Sequence, residues 1–517
     1  MKRYLYFTHR WLGIMLSLFM AMWFISGVVM MYVGYPKLTI AERLSALPKL
    51  DSGQCCVDLN VALLATGQQT NPESLRVTTV GGSPRFIINY SKTKIVAVNG
   101  VTGQKIAAVS ESEAIVSAQA FLKKAGEYAG HVEEDPWTHS RALDGLRPLH
   151  RVQMQDADKT LLYVSNTTGE VVRDATGTER YWNWIGAWIH WLYPFRGGLF
   201  EAQAANIVIY SSLVGCLVTI TGIVVGLLRW RFTGQYKRGS KTPYRESIMR
   251  WHHLFGLTFG LITFTWILSG LLSMNPWKIF DSDTAKLNMR VHKAGEIDAQ
   301  HFPLSIQQAL ASYQMTGFYP AELEWRVLEG KGYYIGFDSA GQTKILLAEA
   351  GALPIAQFSR AQLESAAKRL MGSATLNSSS ILTEYDAYYY QRAPHTMTGH
   401  AEKRLPMLRL KFDDPYETWM HIDPYIGALV KVDSYRRTSR WLFAFLHSWD
   451  WLPLLNRRPL WDVLLIAFST GGLIISVSGI IIGWRRLGRK LNESGIAKTS
   501  PLKLHGLEKL RHDTNPR

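Results

Sequence analysis

The stretches HRWLGIMLSLFMAMWFISGVVMM, residues 9–31, and HHLFGLTFGLITFTWILSGLLSM, residues 252–274, decide how this chain is read. Laid over each other at an offset of 243, His9 falls on His252, Gly13 on Gly256, Trp23 on Trp266, and Ser26-Gly27 on Ser269-Gly270. Each contains a run of apolar residues long enough to cross the hydrocarbon layer, which takes about 20 residues at 1.5 Å rise. Working outward, residues 207–228 and 463–484 form a second matching couple at an offset of 257, with Thr221-Gly222 on Ser478-Gly479 and Gly226 on Gly483. That offset also carries His190 onto His447, Arg180 onto Arg437 and Trp184 onto Trp441. The expected unit is span, outer domain, His-bearing amphipathic segment and span, present twice.

Residues 11–33, 207–228, 254–276 and 463–484 contain no Asp, Glu, Lys or Arg. Backbone groups in lipid must pair internally, so all four runs are expected to be helices. The first is too long for a signal core and lacks a small-x-small site after it, so it reads as an uncleaved anchor. The chain as a whole has 517 residues and a net charge of +16, and hydrophobic residues make up 47 % of it. That composition excludes a disordered chain. Much of the positive charge lies in the connection 229–250 and just after the last span, where the positive-inside rule places cytoplasmic loops. The charge is therefore topological, and no nucleic-acid partner is expected. The partner implied is a lipid bilayer, with both termini cytoplasmic and the two large segments on the opposite face.

The expected fold class is an α-helical membrane protein with four transmembrane helices in two repeats, plus two periplasmic α+β domains. The boundaries run 9–33 (helix), 34–179 (first outer domain), 180–206 (His-bearing segment), 207–228 (helix) and 229–251 (basic loop). The second half follows as 252–276 (helix), 277–436 (second outer domain), 437–462 (His-bearing segment), 463–484 (helix) and 485–517 (tail). Within the outer domains the apolar spacing predicts helices over 110–126 and 359–372. Alternating strands are expected at 86–89, 95–98, 161–164 and 408–412, with glycine turns at 98–103, 166–169 and 423–427.

Histidines gather at the ends of the spans. His9, His252 and His253 precede spans one and three; His190 and His447 precede spans two and four. Duplication then gives two facing couples, His9 with His252 or His253 and His190 with His447. A flat cofactor held between helices needs an axial ligand from each side, and neutral imidazole is a common ligand of haem iron. Two haem b groups would carry electrons across a layer too thick for one hop. Arg180, Arg437 and Arg440 are candidates for neutralising haem propionates or for anchoring at headgroups. Asp413-Asp414 and Asp386 with Tyr388–Tyr390 read first as structural turns, with a substrate surface as the alternative. His395 and His400 lie in a loop-like stretch that reads first as solvated, with an entry to the outer haem or a metal site as the alternatives, whereas His421 sits in a strand. Cys216 reads as packing, and adjacent Cys55 and Cys56, too close for an unstrained mutual disulfide, read as separate small residues. No dinucleotide or P-loop fingerprint, HExxH or GxSxG occurs, so electrons must come from a quinol or a cytoplasmic reductase.

THRWLGIMLSLFMAMWFISG, from Thr8, and RWLFAFLHSWDWLPLLNRRPLWD followed by SVSGIIIGWRR resemble the PepSY-associated transmembrane proteins over about residues 3–490. The resemblance implies four spans with PepSY-like outer domains. It also implies a haem-bearing inner-membrane reductase acting on a ferric siderophore or other iron chelate. His9, His190, His252 and His447 match the positions where that family keeps histidines. His253 is a departure, and WIHWLYP in the first half is looser than HSWDWLP in the second. The alternative implied is a non-enzymatic membrane-anchored PepSY protein that binds or inhibits peptidases or senses envelope state.

Overall fold

The computed structural model describes residues 2–53, 55–196, 198–281, 287–397, 399 and 401–493. Among the described residues, four helices are long and apolar enough to cross a membrane: Lys2–Met30, Phe200–Arg229, Ser247–Ser273 and Leu460–Leu491. Together with the mixed sheets below, they make this a multi-pass membrane protein with α+β domains. The first, third and fourth helices outrun their uncharged cores because hydrogen bonding continues past the apolar run. Basic residues at the ends can keep their charged heads in water while their stems lie on apolar surface.

The chain divides into two compact units, and the cuts fall inside the long helices. The helical unit comprises Met1–Ile25, Ile209–Leu268 and Val463–Arg517. Its helices meet through small residues. Gly471 receives the ring of Phe259 and Gly472 that of Phe24, and a side chain at Gly215 would press Ile267 at 3.0 Å and Leu16 at 3.2 Å. In lipid such close approach, rather than water exclusion, drives helix association.

The mixed unit comprises Ser26–Val208 and Ser269–Asp462. Its strands are β1 (Ser74–Val80), β2 (Ser83–Ser91), β3 (Lys94–Asn99), β4 (Gly126–Val132), β5 (Leu149–Met154), β6 (Leu161–Ser165) and β7 (Val171–Ala175). They continue with β8 (Glu322–Leu328), β9 (Lys331–Phe337), β10 (Thr343–Leu347), β11 (Thr375–Leu382), β12 (Met407–Asp413), β13 (Trp419–Ile422) and β14 (Leu429–Val432). The expected strands are all present, as are the two helices. Glu111–Leu122 is capped by Ser110 reciprocally with Glu113, and Arg360–Met371 by Ser359 reciprocally with Gln362. Each reciprocal cap satisfies two backbone donors left over at the first turn. Gly169 and Gly427 take φ of +75° and +66°, as the expected turns require.

Two features depart from expectation. The sheets run β10-β9-β8-β1-β2-β3, β4-β5-β6-β7 and β11-β12-β13-β14. The first joins segments expected to lie in separate domains, since β1 pairs antiparallel with β8 (Arg76 opposite Glu324). A buried ion cluster tightens that seam. Glu322, 1 % exposed, takes Arg43 and Arg76 together, and Arg76 reaches Glu170 at 2.6 Å. Burial alone would raise the Glu322 carboxyl, but Arg76 and Arg43 overcome this and hold it down to about 2. The second departure concerns Cys55 and Cys56. They are not separate thiols: their sulfurs are bonded to each other across a cis peptide, within the core under the six-stranded sheet.

Candidate functional site

Of the five expected ligands, the structure brings together two pairs. In the helical unit the rings of His9 and His252 have centroids 6.3 Å apart with planes inclined at 41°. In the mixed unit His190 and His447 stand 6.2 Å apart at 75°. The separations are informative. A metal bound to facing imidazole nitrogens at about 2 Å from each, with about 1 Å more from nitrogen to ring centre, holds two such rings roughly 6 Å apart. The distance alone does not single these pairs out, since the rings of His131 and His150 also stand 6.4 Å apart; there His150 Nε2 is held by Asn166 at 3.0 Å.

The second ring nitrogen is engaged in all four. His9 Nδ1 donates to the carbonyl of Val218 at 3.1 Å. His252 Nδ1 lies 3.1 Å from the carbonyl of Ile475 and 2.9 Å from Ser478 Oγ. A carbonyl only accepts, so the proton sits on Nδ1 and the neutral ring presents the lone pair of Nε2. In the other pair, Ser26 Oγ lies 2.8 Å from His190 Nδ1, and Ser269 Oγ 3.1 Å from His447 Nδ1. A serine oxygen can accept the same proton. These orienting partners escaped the sequence reading. The Ser-Gly dipeptides 26–27 and 269–270 were visible in the sequence only as matching residues. A side chain at Gly27 or Gly270 would meet the Cε1 of His190 or His447 at 3.7 Å, an ordinary contact, so it is the serine of each dipeptide that acts on the ring. At the first pair, a side chain at Gly222 would reach His9 Cε1 at 2.7 Å.

His253, included among the expected ligands, is placed differently. Its Nδ1 lies 2.7 Å from Thr242 Oγ1 and its Nε2 2.9 Å from the carbonyl of Gly226, in a buried position. Both nitrogens are taken, so His252 faces His9 and His253 braces the loop against the helix. The local fold explains the second pair. His190 sits on a short helix, Ala187–His190, separated from Gly177–Ile185 by a break at Gly186. His447 follows a widened turn over Arg440–Phe445, a feature frequent where helices present functional side chains.

The other candidates are less central. Arg180 donates to the carbonyl of Lys159, and Arg437 to Glu417 at 2.8 Å. Arg440 donates to the carbonyls of Ala387 and Asp450 and keeps a buried, unsatisfied Nη1. Asp450, missed in the sequence, is 3 % exposed, takes Tyr390 Oη at 3.1 Å, and faces Arg392 at 3.4 Å. Burial pushes its carboxyl up. Asp386 is bound by Arg409, and His421 accepts from Arg409 Nε at 2.7 Å. Burial and then the Arg409 charge push His421 down to about 3. His395 Nε2 lies 3.0 Å from the carbonyl of Met31, and His400 lies outside the described residues. Among the described residues no group of three or more His, Cys, Asp or Glu converges as for a bare metal ion.

Two imidazoles facing one gap, flanked by glycine, fit a planar metal cofactor ligated from both sides. A polytopic helical protein with mixed sheets and paired histidines at its helix ends is the class thus defined. The chain matches the PepSY-associated TM region over residues 6–486 and belongs to that family. No curated protein matches it.

Proposed function

We propose that this chain is a duplicated inner-membrane di-haem b-type reductase. It passes electrons from a quinol or cytoplasmic reductase to a ferric siderophore or similar chelate in the periplasm. The observation that carries the reading is the double one above: two imidazole pairs at ring separations of 6.3 and 6.2 Å, each ring with Nδ1 held. His9, His252, His190 and His447 would hold the haem iron through their ring nitrogens. Haem bound at each pair supplies a one-electron couple.

The protein's own groups do the rest. Val218, Ile475, Ser26 and Ser269 fix tautomer and ring direction, which raises ligand basicity. Gly222 keeps space open beside the His9 ring, where a side chain would come within 2.7 Å. The mixed domains, placed in the periplasm by this reading, supply the surface on which the substrate docks. Substrate Fe(III) takes one electron and becomes Fe(II). The softer, larger ion is held less tightly by hard oxygen donors and leaves the chelate.

The test is the visible spectrum of detergent-purified protein, oxidised and dithionite-reduced, with a pyridine haemochrome count. The expected result is a Soret band that shifts on reduction, at two haems per chain, with His9→Ala and His190→Ala each removing one. A colourless protein from haem-replete cells overturns the reading and leaves the non-enzymatic peptidase-binding role.

A further inference from the structure

We infer that Arg10, Arg486 and Arg489 form a carboxylate-binding edge at the first pair, the place where the two propionates of the cofactor are held; this rests on the haem reading above. The cavity of about 290 Å³ that contains His9 and His252 is lined by all three arginines, and no Asp or Glu is among its lining residues. The other lysines and arginines at this end of the helical unit lie outside the described cavity lining, and three of them are engaged. Arg485 pairs with Glu246, Arg229 donates to Tyr6 Oη at 3.0 Å, and Lys490 lies 4.8 Å over the ring of Trp11. The three at the cavity are not so placed. Nε of Arg486 is buried with no hydrogen-bond partner, and Arg489 Nε reaches only the carbonyl of Arg485 at 3.3 Å. Arg10 makes no hydrogen bond or ion pair with a described residue.

Comparison across the offsets makes the arrangement specific. At 243, Arg10 corresponds to His253; at 257, Arg486 corresponds to Arg229 and Arg489 to Phe232. His253 is closed by Thr242 and Gly226, Arg229 by Tyr6, and Phe232 has no charge. A site expected to be nearly two-fold therefore has one cationic edge and one neutralised edge. Haem is one-sided in the same way, since both carboxylates project from a single edge of the ring. Three like charges around one gap repel more strongly as the dielectric falls, and a dianion removes that repulsion. Charge-assisted arginine–carboxylate bonds would then decide which way round the ring is held. The departure at His253 belongs to this asymmetry.

The test uses full-length protein carrying His190→Ala and His447→Ala, stripped of cofactor in detergent, so that only the first pair titrates. Haem and haem dimethyl ester, whose carboxylates are capped, are each titrated and the bound absorbance per chain recorded. Haem is expected to bind about tenfold tighter than the ester. Arg10→Gln and Arg486→Gln should bring that ratio toward one, Arg486→Lys should retain part of it, and Arg485→Gln should leave it alone. Equal binding of haem and ester with all arginines intact overturns the proposal while the bis-histidine reading stands; the cations then serve lipid headgroups. Failure of both compounds to bind overturns the haem reading itself, and the proposal with it.

Discussion

The two histidine pairs have nearly the same ring separation but are held by different means. His9 and His252 lean on backbone carbonyls of membrane-spanning helices, with a hydroxyl from Ser478 assisting one of them. His190 and His447 lean on serine side chains, Ser26 and Ser269, both fully buried. A helix carbonyl is an acceptor that no substitution removes. A serine hydroxyl is both replaceable and able to turn. The first pair therefore has backbone acceptors at its Nδ1 atoms and the second has serine hydroxyls, and the variants below set the two against each other.

Removing a ligand gives the largest effect and treats both pairs alike. His252→Ala and His447→Ala should each lose one haem by haemochrome count, while His253→Ala keeps both. Loss on His253→Ala with retention on His252→Ala would reverse the assignment. Next come the orienting groups, where the pairs should part. Ser269→Ala is expected to weaken cofactor retention at the second pair by about 10–100-fold, the range for removing such a partner from a metal-bound histidine. Ser478→Ala at the first pair should cost far less, because the carbonyl of Ile475 still takes the Nδ1 proton. Equal losses, measured by competition with apomyoglobin, would mean that carbonyl and serine support do not differ.

The sequence made the spans and the histidine pairs legible for physical reasons. An uncharged run of more than 20 residues has few alternatives to a spanning helix. Repetition at fixed offsets marks residues that matter in both copies. The orienting acceptors were hidden because Val218 and Ile475 act through their backbones, 209 and 223 residues from the rings they hold. A carbonyl leaves no trace in residue type. The β1–β8 pairing was hidden for a similar reason, since main-chain bonds across the two halves add a sheet neighbour without altering either strand's pattern. Glu322 did carry a trace, a charged residue opening an apolar strand, but its partners Arg43 and Arg76 lie far away in sequence.

His253→Ala should also separate support from ligation energetically. It deletes hydrogen bonds to Thr242 and Gly226 in a buried place, so a loss of about 1–3 kcal/mol is expected, seen as a lower Tm with an unchanged spectrum. Loss of one haem would instead make His253 a ligand rather than a neighbour in the cavity lining.

The smallest expected effect concerns acid, and it falls on the mixed unit. His421 titrates near 3 in the fold and at its ordinary value of 6.5 when unfolded. Between those values the unfolded chain binds more protons, so stability falls as pH drops from about 6.5 toward 3. Glu322 titrates near 2 in the fold against an ordinary 4.5, so it too favours unfolding as pH drops from about 4.5 toward 2. Both groups belong to the unit that holds His190 and His447. Acid should therefore release the cofactor of the second pair before that of the first, in spectra recorded from pH 7 to pH 4. His421→Gln keeps an acceptor for Arg409 and removes the upper titration, so its Tm should vary less between pH 6.5 and 4.5. Simultaneous loss of both cofactors, or a His421→Gln profile parallel to that of the native protein, would place the acid-sensitive groups elsewhere.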